Sequence, residues 1–148
     1  ALDLGDREVG VRVNGIDTPW FLDDLLALEN APVDAVVVPK IGRPDDVAAV
    51  ATILRQFDLR GRSRPLSLHV MIDSAAGVEA ASEIICASPL IEAVVFGAGD
   101  YAATTGGAMG PLGLQYARGR LAVVAAAARV AAIAADAVGS CCLSWSRS

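Results

Sequence analysis

The chain has 148 residues, of which 54% are hydrophobic, 20% charged and 5% aromatic, and its formal net charge is −5. This composition describes one compact globular unit with a core of Ala, Val, Leu and Ile, as in helices packed on parallel strands, and it excludes a disordered or fibrous chain. The acidic balance argues against general nucleic-acid binding, because phosphate backbones are held by clustered Lys and Arg.

Neither the cysteines nor the apolar segments indicate a secreted or membrane protein. Cys86, Cys141 and Cys142 form an odd set without metal-ligand spacing, and adjacent cysteines do not readily bridge each other. Residues 121–138 are the most apolar segment, but they contain two charged residues and are dominated by Ala, so they make a poor membrane span. We therefore expect a cytoplasmic protein. Because the sequence starts at Ala1, inside what already resembles structured sequence, we interpret the chain as a fragment.

The chain alternates predicted strands and helices. Residues 9–14 form a β-branched run that ends at Asn-Gly, and residues 17–29 carry apolar side chains at helical spacing. The pattern recurs, with strands predicted at 33–38, 66–72 and 91–96 and helices at about 44–57, 76–86 and 112–138. Four strand-helix units of this kind predict an α/β fold with parallel strands and right-handed crossovers, either a half barrel or a small open sheet.

The end of the chain differs from the rest. After residue 138 the composition changes abruptly to "GSCCLSWSRS", which is polar and lacks periodicity. We therefore predict an α/β domain over residues 1–138 and an irregular tail over residues 139–148, which would suit a frayed end or a non-native continuation.

The polar residues of the four units fall at one end of the predicted sheet. Arg12 and Asn14 lie in or after the first strand, Lys40 follows the second, Asp73 and Ser74 follow the third, and Asp100 follows the fourth. The loops after parallel strands form one face, so these groups can converge. Two carboxylates with an arginine indicate a hard divalent cation that also meets an oxygen-rich acidic substrate. Mg²⁺ takes one or two carboxylates and leaves its other positions to water and substrate.

Each of these residues also has a structural interpretation. Asp73 or Asp100, taken singly, can be a helix N-cap. Arg12 can pair with a neighbouring acid, and Lys40 can be a solvated loop lysine. His69, inside the third strand, is interpreted as a core histidine without a role. The glycines around Asp100 match neither the Walker nor the dinucleotide-binding spacing and are interpreted as tight turns.

One basic cluster remains, formed by Arg60, Arg62 and Arg64. These residues precede the third predicted strand, so they lie at the end of the sheet opposite to Asp73 and Asp100. We expect them to form a solvated face or a partner contact rather than a phosphate site.

Four stretches in chain order carry a family resemblance. They are "VRVNGIDTPWFLDDLLAL", "DAVVVPKIGRPDDV", "LHVMIDSAAGVEAASEIICASP" and "EAVVFGAGDYAATTGG". Together they resemble the citrate lyase β-subunit-like family of CoA-ester lyases within the HpcH/HpaI aldolase superfamily, which includes malyl-CoA lyases. The resemblance covers about residues 9–138. It implies a partial TIM (β/α)8 barrel, since the family barrel is roughly twice this length, and an oligomer, usually a homotrimer or hexamer.

The resemblance also implies Mg²⁺-dependent cleavage or formation of a carbon-carbon bond between an acyl-CoA and a small oxo-acid, by a retro-Claisen or aldol-type step. Arg12 matches the strand arginine that holds the substrate's carboxylate and oxo group. Asp100 matches the metal-binding aspartate of an "FGxxDL"-like stretch, and Asp73 falls where the family generally has a metal-binding glutamate. Lys40 and Arg43 lie on the same rim and are assigned to the phosphates of CoA.

The sequence departs from the family pattern at several positions. Asp73 is one methylene shorter than Glu, a gap that a water could fill. Ala76 replaces the motif's arginine, and Tyr101 stands where a leucine is common. Three hypotheses stay open: a Mg²⁺-dependent CoA-ester lyase of the citryl-CoA or malyl-CoA type, a truncated non-catalytic fragment or interaction module, and a class II pyruvate-type aldolase without CoA.

Overall fold

The computed structural model describes residues 8–62, 64–106, 111–135 and 142–145. The strands in this part of the chain are β1 (Glu8–Arg12), β2 (Ala35–Val38), β3 (Ser67–Ile72), β4 (Ile91–Gly97), β5 (Ala131–Ala135) and β6 (Cys142–Trp145). The helices are α1 (Phe21–Leu28), α2 (Pro44–Leu59), α3 (Ala75–Glu79), α4 (Ala81–Cys86), α5 (Ala98–Thr105) and α6 (Pro111–Ala128). None of these described helices is long and apolar enough to cross a membrane.

The strands form one sheet with the order β5-β4-β3-β2-β1-β6. β1 to β5 run parallel and curl into a half barrel, with helices connecting successive strands. The predicted α/β class with parallel strands is thus confirmed, and a fifth parallel strand is added to the four predicted. The register places Arg12 beside Val37 and Met71 beside Val95. Paired residues share a face of the sheet, so this register fixes which side chains meet on the concave side.

Both faces of the central strands are buried. Towards the helices, Val36, Val70 and Val94 belong to the main hydrophobic core. On the other face, a small cluster contains Val37, Met71 and Val95, with Ile133 packed against it. Burial on both faces explains why β2, β3 and β4 are nearly continuous hydrophobic runs rather than alternating ones.

The helix predicted over residues 112–138 is wrong in its second half, because α6 ends immediately before Arg129. Arg129 has a φ of 59°. Its N–H donates to the Ala126 carbonyl at 3.2 Å, and the Val130 N–H donates to the Ala125 carbonyl at 3.0 Å. This is the Schellman pattern of a helix end, which usually uses glycine at the left-handed position. An arginine at this position does not indicate the end of a helix in the sequence. Pairing with β4 then overrides the helix propensity of the Ala-rich β5.

Part of the predicted irregular tail is also a strand. β6 pairs antiparallel with β1, with Cys142 beside Val11 and Trp145 beside Glu8. The prediction is wrong for these four residues, because backbone pairing with a strand edge needs little periodicity in the side chains. The other residues of the predicted tail lie outside the described residues.

The helix predicted over residues 76–86 is divided into α3 and α4 at Ala80, whose ψ of 4° departs from that of an α-helix. Ser74 caps α3 by accepting a hydrogen bond from the Gly77 N–H at 3.1 Å. This cap fixes the start of α3 directly beyond the carboxyl end of β3.

The three arginines near the amino end of β3 lie opposite the carboxyl ends, as predicted, but Arg62 does not belong to a solvated face. Its half-buried guanidinium donates five hydrogen bonds to backbone carbonyls, two of them to the carbonyls at the end of α1. Arg60 and Arg64 form exposed ion pairs with Glu29 and Asp34. These hydrogen bonds and ion pairs connect the segment between α1 and β2 to the residues that precede β3.

Candidate functional site

A cavity of about 380 Å³ lies at the carboxyl ends of the central strands. It is lined by Lys40, Asp73, Ser74, Asp100, Ala103 and Thr104. The first of these follows β2, the next two follow β3, and the last three belong to α5. The structure therefore brings together four of the residues predicted to meet on one rim, although they are far apart in sequence.

Asp73 is the buried carboxylate of this cavity, with 3% of its surface exposed. Its Oδ2 accepts a hydrogen bond from the Lys40 N–H at 3.1 Å. Burial raises the pKa of Asp73 above its ordinary value of 3.8, and the charge of Asp100 raises it further, while the Lys40 N–H acts in the opposite direction. A cation in the cavity would stabilise both carboxylates, because it would offset the lost hydration and their mutual repulsion.

β4 approaches Asp73 so closely that the position at its end needs a glycine. A Cβ built on Gly97 would lie 2.6 Å from the Cβ of Asp73 and 3.5 Å from Cγ of Met71. The first distance is far shorter than the roughly 3.5 to 4 Å of a carbon-carbon contact. The φ of Gly97 is −88°, so the requirement for glycine is steric. This role was not visible in the sequence, where the neighbouring glycines indicated turns.

Asp100 lies in the first turn of α5, within a helix rather than in the loop that the flanking glycines indicated. Ala103 and Thr104 follow it at the three- and four-residue spacing of one helix face, and all three line the cavity. A carboxylate in the first turn is also favoured by the helix dipole. The helical spacing of this face is the signal that would have revealed the other two lining residues from the sequence.

Lys40 contacts the site through both its backbone and its side chain. Its φ of 59° lies in the left-handed region, where lysine is uncommon. The backbone N–H donates to Asp73, and the next N–H, of Ile41, donates to the Met71 carbonyl at 3.2 Å. Lys40 lines the cavity, its charge acts against the rise in the pKa of Asp73, and its Cδ lies 3.6 Å from a Cβ built on Gly15. Lys40 is exposed, as expected of a loop lysine, but its backbone is bonded to the buried carboxylate.

The two arginines assigned to substrate and CoA are not among the described residues that line the cavity. Arg12 is exposed at the end of β1. Arg43 precedes α2 and forms an ion pair with Asp46 at 3.2 Å, with 75% of its own side chain exposed. Asn14 is also engaged elsewhere, since its N–H and its side-chain amide both donate to Asp24 at 2.8 Å. The roles assigned to the two arginines stay predictions.

The donor set of the cavity fits a hard divalent cation. Asp73 and Asp100 offer carboxylate oxygens, and Mg²⁺ commonly takes one or two carboxylates together with water and substrate oxygens. Within the described part of the chain, no group of three or more His, Cys, Asp or Glu side chains could hold a metal ion. A cation held by these two carboxylates alone would keep positions open for a ligand.

Comparison with known proteins assigns the chain to a family. The profile of the HpcH/HpaI aldolase/citrate lyase family matches residues 1–141. The chain belongs to this family. The resemblance inferred from the four sequence stretches to the HpcH/HpaI family is thereby confirmed.

Curated relatives of this HpcH/HpaI chain include CoA-ester lyases. It is 41% identical over 109 residues to the L-malyl-CoA/beta-methylmalyl-CoA lyase of Cereibacter sphaeroides, covering 71% of this chain and 34% of that enzyme. It is 33% identical over 110 residues to the malyl-CoA/beta-methylmalyl-CoA/citramalyl-CoA lyase of Chloroflexus aurantiacus, covering 72% of this chain and 32% of that enzyme. The chain spans about a third of the length of these relatives.

Solved structures share the fold. RipC from Yersinia pestis superposes with a TM-score of 0.74 and 29% identity, over 84% of this chain and 56% of RipC. The protein CitE from Mycobacterium tuberculosis, in complex with magnesium and acetate, superposes with a TM-score of 0.65 and 25% identity, over 84% of this chain and 50% of CitE. The half barrel described here thus corresponds to about half of each solved chain.

Proposed function

We propose that this chain is part of a Mg²⁺-dependent CoA-ester lyase of the malyl-CoA or citryl-CoA type, which cleaves or forms a carbon-carbon bond between an acyl-CoA and a small oxo-acid. The observation that carries the proposal is the pair of carboxylates, buried Asp73 and helix-borne Asp100, that face one cavity beside Lys40. The malyl-CoA lyases among the relatives support the substrate class. The magnesium complex of the structural neighbour supports the choice of metal.

In this proposal Asp73 and Asp100 hold the cation. A divalent cation, when bound, would polarise the oxo group of the acid and stabilise the negative charge that develops on its oxygen. The chain's own contribution is to position the ligands. The Lys40 N–H fixes one oxygen of Asp73, and the glycine at position 97 leaves free the space that the Cβ of Asp73 requires. Such preorganisation avoids a reorientation cost when charge develops.

Two proposed roles concern residues outside the cavity lining. Arg12 would bind the carboxylate or oxo group of the substrate, because it lies exposed at the carboxyl end of β1, the strand beside β2. Arg43 would meet a phosphate of CoA, because its guanidinium is largely exposed at the start of α2, on the same side of the sheet as the cavity. The shorter side chain of Asp73, relative to Glu, would leave room for a water between its carboxylate and the cation.

Two specific observations favour other functions. A (3S)-malyl-CoA thioesterase of Cereibacter sphaeroides is 36% identical over 124 residues, which favours hydrolysis of a related thioester. The matched family also includes aldolases, which favours an aldol reaction without CoA. The products separate these candidates: a lyase converts malyl-CoA to acetyl-CoA and glyoxylate, whereas a thioesterase releases free CoA and malate.

Calorimetric titration of the chain with Mg²⁺, with and without glyoxylate or oxaloacetate, tests the proposal. We expect saturable binding that the oxo-acid strengthens, and loss of at least about 100-fold in Mg²⁺ affinity in Asp100→Ala, since one of two carboxylate ligands is removed. Circular dichroism establishes that the variant is folded. Equal Mg²⁺ affinity in the folded variant and the original chain would remove Asp100 from the site, and absence of binding by the folded original chain would overturn the metal-dependent function.

A further inference from the structure

Lys40 adopts a strained backbone conformation that no helix end explains. Among the described residues other than glycine, only Lys40 and Arg129 have a positive φ, and both values are 59°. Arg129 terminates α6, which is an ordinary use of the left-handed region. Lys40 instead lies in the connection between β2 and α2, on the wall of the cavity. Strain of this kind persists where the surroundings require it, and it points to a use at the site.

The backbone of Lys40 has an identifiable effect on the cavity. Its N–H donates to Oδ2 of Asp73, and the following N–H donates to the Met71 carbonyl. Two consecutive amides after β2 therefore bond to the end of β3, one to the main chain and one to the buried carboxylate. A residue with ordinary negative φ would rotate this peptide and direct the N–H away from Asp73. The left-handed conformation thus holds the carboxylate in one orientation.

Lys40 lines the same cavity as Asp73 and Asp100, and its charge acts on Asp73 from an exposed position. Lys40 balances one of the two negative charges, so a divalent cation bound there would leave one net positive charge. A cavity with that balance attracts a ligand with one carboxylate near the cation, and an ammonium is a suitable partner for that group. A small oxo-acid has this arrangement, with its oxo oxygen next to a carboxylate.

We propose that Lys40 serves the site twice: its backbone N–H positions Asp73, and its ammonium binds the carboxylate of the oxo-acid rather than a phosphate of CoA. The assignment rests on the proposed function, and it deepens that function by naming the residue that binds the carboxylate, which leaves the oxo group as the ligand of Arg12. Lys40 and Arg43 then have different proposed ligands. Arg43 is not among the described residues that line the cavity, and it keeps its proposed role of binding a phosphate of CoA.

Three substitutions separate the two roles. Lys40→Met removes the ammonium but keeps the length of the side chain. Lys40→Gly also removes the side chain and tolerates positive φ without strain. Lys40→Val places a β-branched residue where left-handed φ is most disfavoured, so the N–H should turn away from Asp73. Each variant is titrated with Mg²⁺, then with glyoxylate at saturating Mg²⁺, and separately with CoA.

Removing the ammonium should not weaken Mg²⁺ binding, but it should weaken glyoxylate binding. Lys40→Met and Lys40→Gly should bind Mg²⁺ as well as the original chain or up to about fivefold more tightly, because a neighbouring cation is removed. Both should bind glyoxylate roughly tenfold more weakly, because a charge-assisted hydrogen bond is lost. Lys40→Val should in addition lose roughly tenfold in Mg²⁺ affinity. Simple loss of folding would lower every affinity together, so it cannot produce this pattern.

Three outcomes would overturn the inference. If Lys40→Met weakens Mg²⁺ and glyoxylate equally, the ammonium does not select the acid. If it weakens CoA alone, Lys40 belongs to the CoA site as first predicted. If Lys40→Val binds Mg²⁺ as Lys40→Gly does, the backbone has no positioning role. Should the original chain bind no Mg²⁺, the proposed function itself fails, and the ammonium's role fails with it.

Amide hydrogen exchange measures the backbone role without any metal. The Lys40 N–H, held by Asp73, should exchange roughly tenfold faster in Asp73→Ala, because its acceptor is gone. The Ile41 N–H, which donates to a main-chain carbonyl, is the internal control and should change little. Unchanged exchange at Lys40 would contradict the positioning role even if Mg²⁺ binding were intact.

Discussion

The two ends of β3 differ in how their charges are compensated. At the amino end, Arg62 donates five hydrogen bonds to backbone carbonyls, and the neighbouring arginines are paired with acids. At the carboxyl end, Asp73 is buried beside the like charge of Asp100 and is held by a residue with left-handed backbone. The charges at the amino end of β3 are therefore paired and stabilise the fold. At the carboxyl end a buried carboxylate is held by a strained backbone, and both features are typical of a functional site.

The largest expected effect is at the amino end. Arg62→Ala should lower the free energy of unfolding by about 3 kcal/mol, because several half-buried carbonyls lose a charged donor. The matched control is Arg60→Ala, which removes one exposed ion pair and should cost less than about 1 kcal/mol. Urea denaturation followed by circular dichroism compares the two. Equal destabilisation would mean that Arg62 contributes no more than a surface charge.

An intermediate effect is expected where β4 meets the site. Gly97→Ala introduces a Cβ 2.6 Å from that of Asp73, so the strand end must shift, at an expected cost of about 2 kcal/mol and with weakened Mg²⁺ binding. Gly99→Ala is the matched control, since its built Cβ meets nothing within 4 Å beyond its chain neighbours and the backbone of its own helix, and alanine favours the helix by up to about 1 kcal/mol. Similar melting temperatures and Mg²⁺ affinities in both variants would show that the close approach is unimportant.

The smallest expected change in the free energy of unfolding is an increase. Asp73→Asn should raise stability at pH 7, because it removes a buried charge that Asp100 repels while keeping an oxygen that can accept the Lys40 hydrogen bond. The same variant should bind Mg²⁺ more weakly. A variant that is less stable than the original chain at pH 7 would show that the ionised carboxylate stabilises the fold rather than straining it.

The raised pKa of Asp73 also predicts a pH dependence. Above 3.8 and up to the raised value, the folded chain keeps a proton that the unfolded chain has released. Asp73 therefore contributes most stability at low pH, and this contribution is lost as pH rises through the folded pKa. Asp73→Asn should lack that loss, so the difference in free energy of unfolding between variant and original chain should grow with pH. A constant difference across the range would contradict the assignment.

The parallel strands and the shared rim could be predicted from the sequence, because nearly continuous hydrophobic runs indicate strands buried on both faces. The end of α6 and the presence of β5 could not. The helix stops at Arg129 in a conformation normally given to glycine, and an Ala-rich segment becomes a strand only because β4 offers it an edge. Likewise, β6 depends on an edge of β1 that local pattern does not encode.

The meeting of the polar residues at one cavity could be predicted from the sequence, but its geometry could not. Residue type and position after a strand predicted that Asp73 and Asp100 lie on one rim, and both line the cavity, while their binding of a metal stays a prediction. The left-handed φ of Lys40 and the missing Cβ of Gly97 act through the backbone, and neither has a local sequence signal. The same limit applies to Arg62, whose partners are backbone carbonyls that any sequence would supply.

Paramagnetic broadening of backbone amide signals by Mn²⁺, used in place of Mg²⁺, tests whether Asp73 and Asp100 share one divalent cation. At substoichiometric Mn²⁺ we expect selective broadening of the amides of Lys40, Ser74 and Thr104, abolished in Asp100→Ala and reversed by excess Mg²⁺. Broadening centred on the acidic pairs Asp23–Asp24 or Asp45–Asp46, or spread evenly over the chain, would contradict the claim.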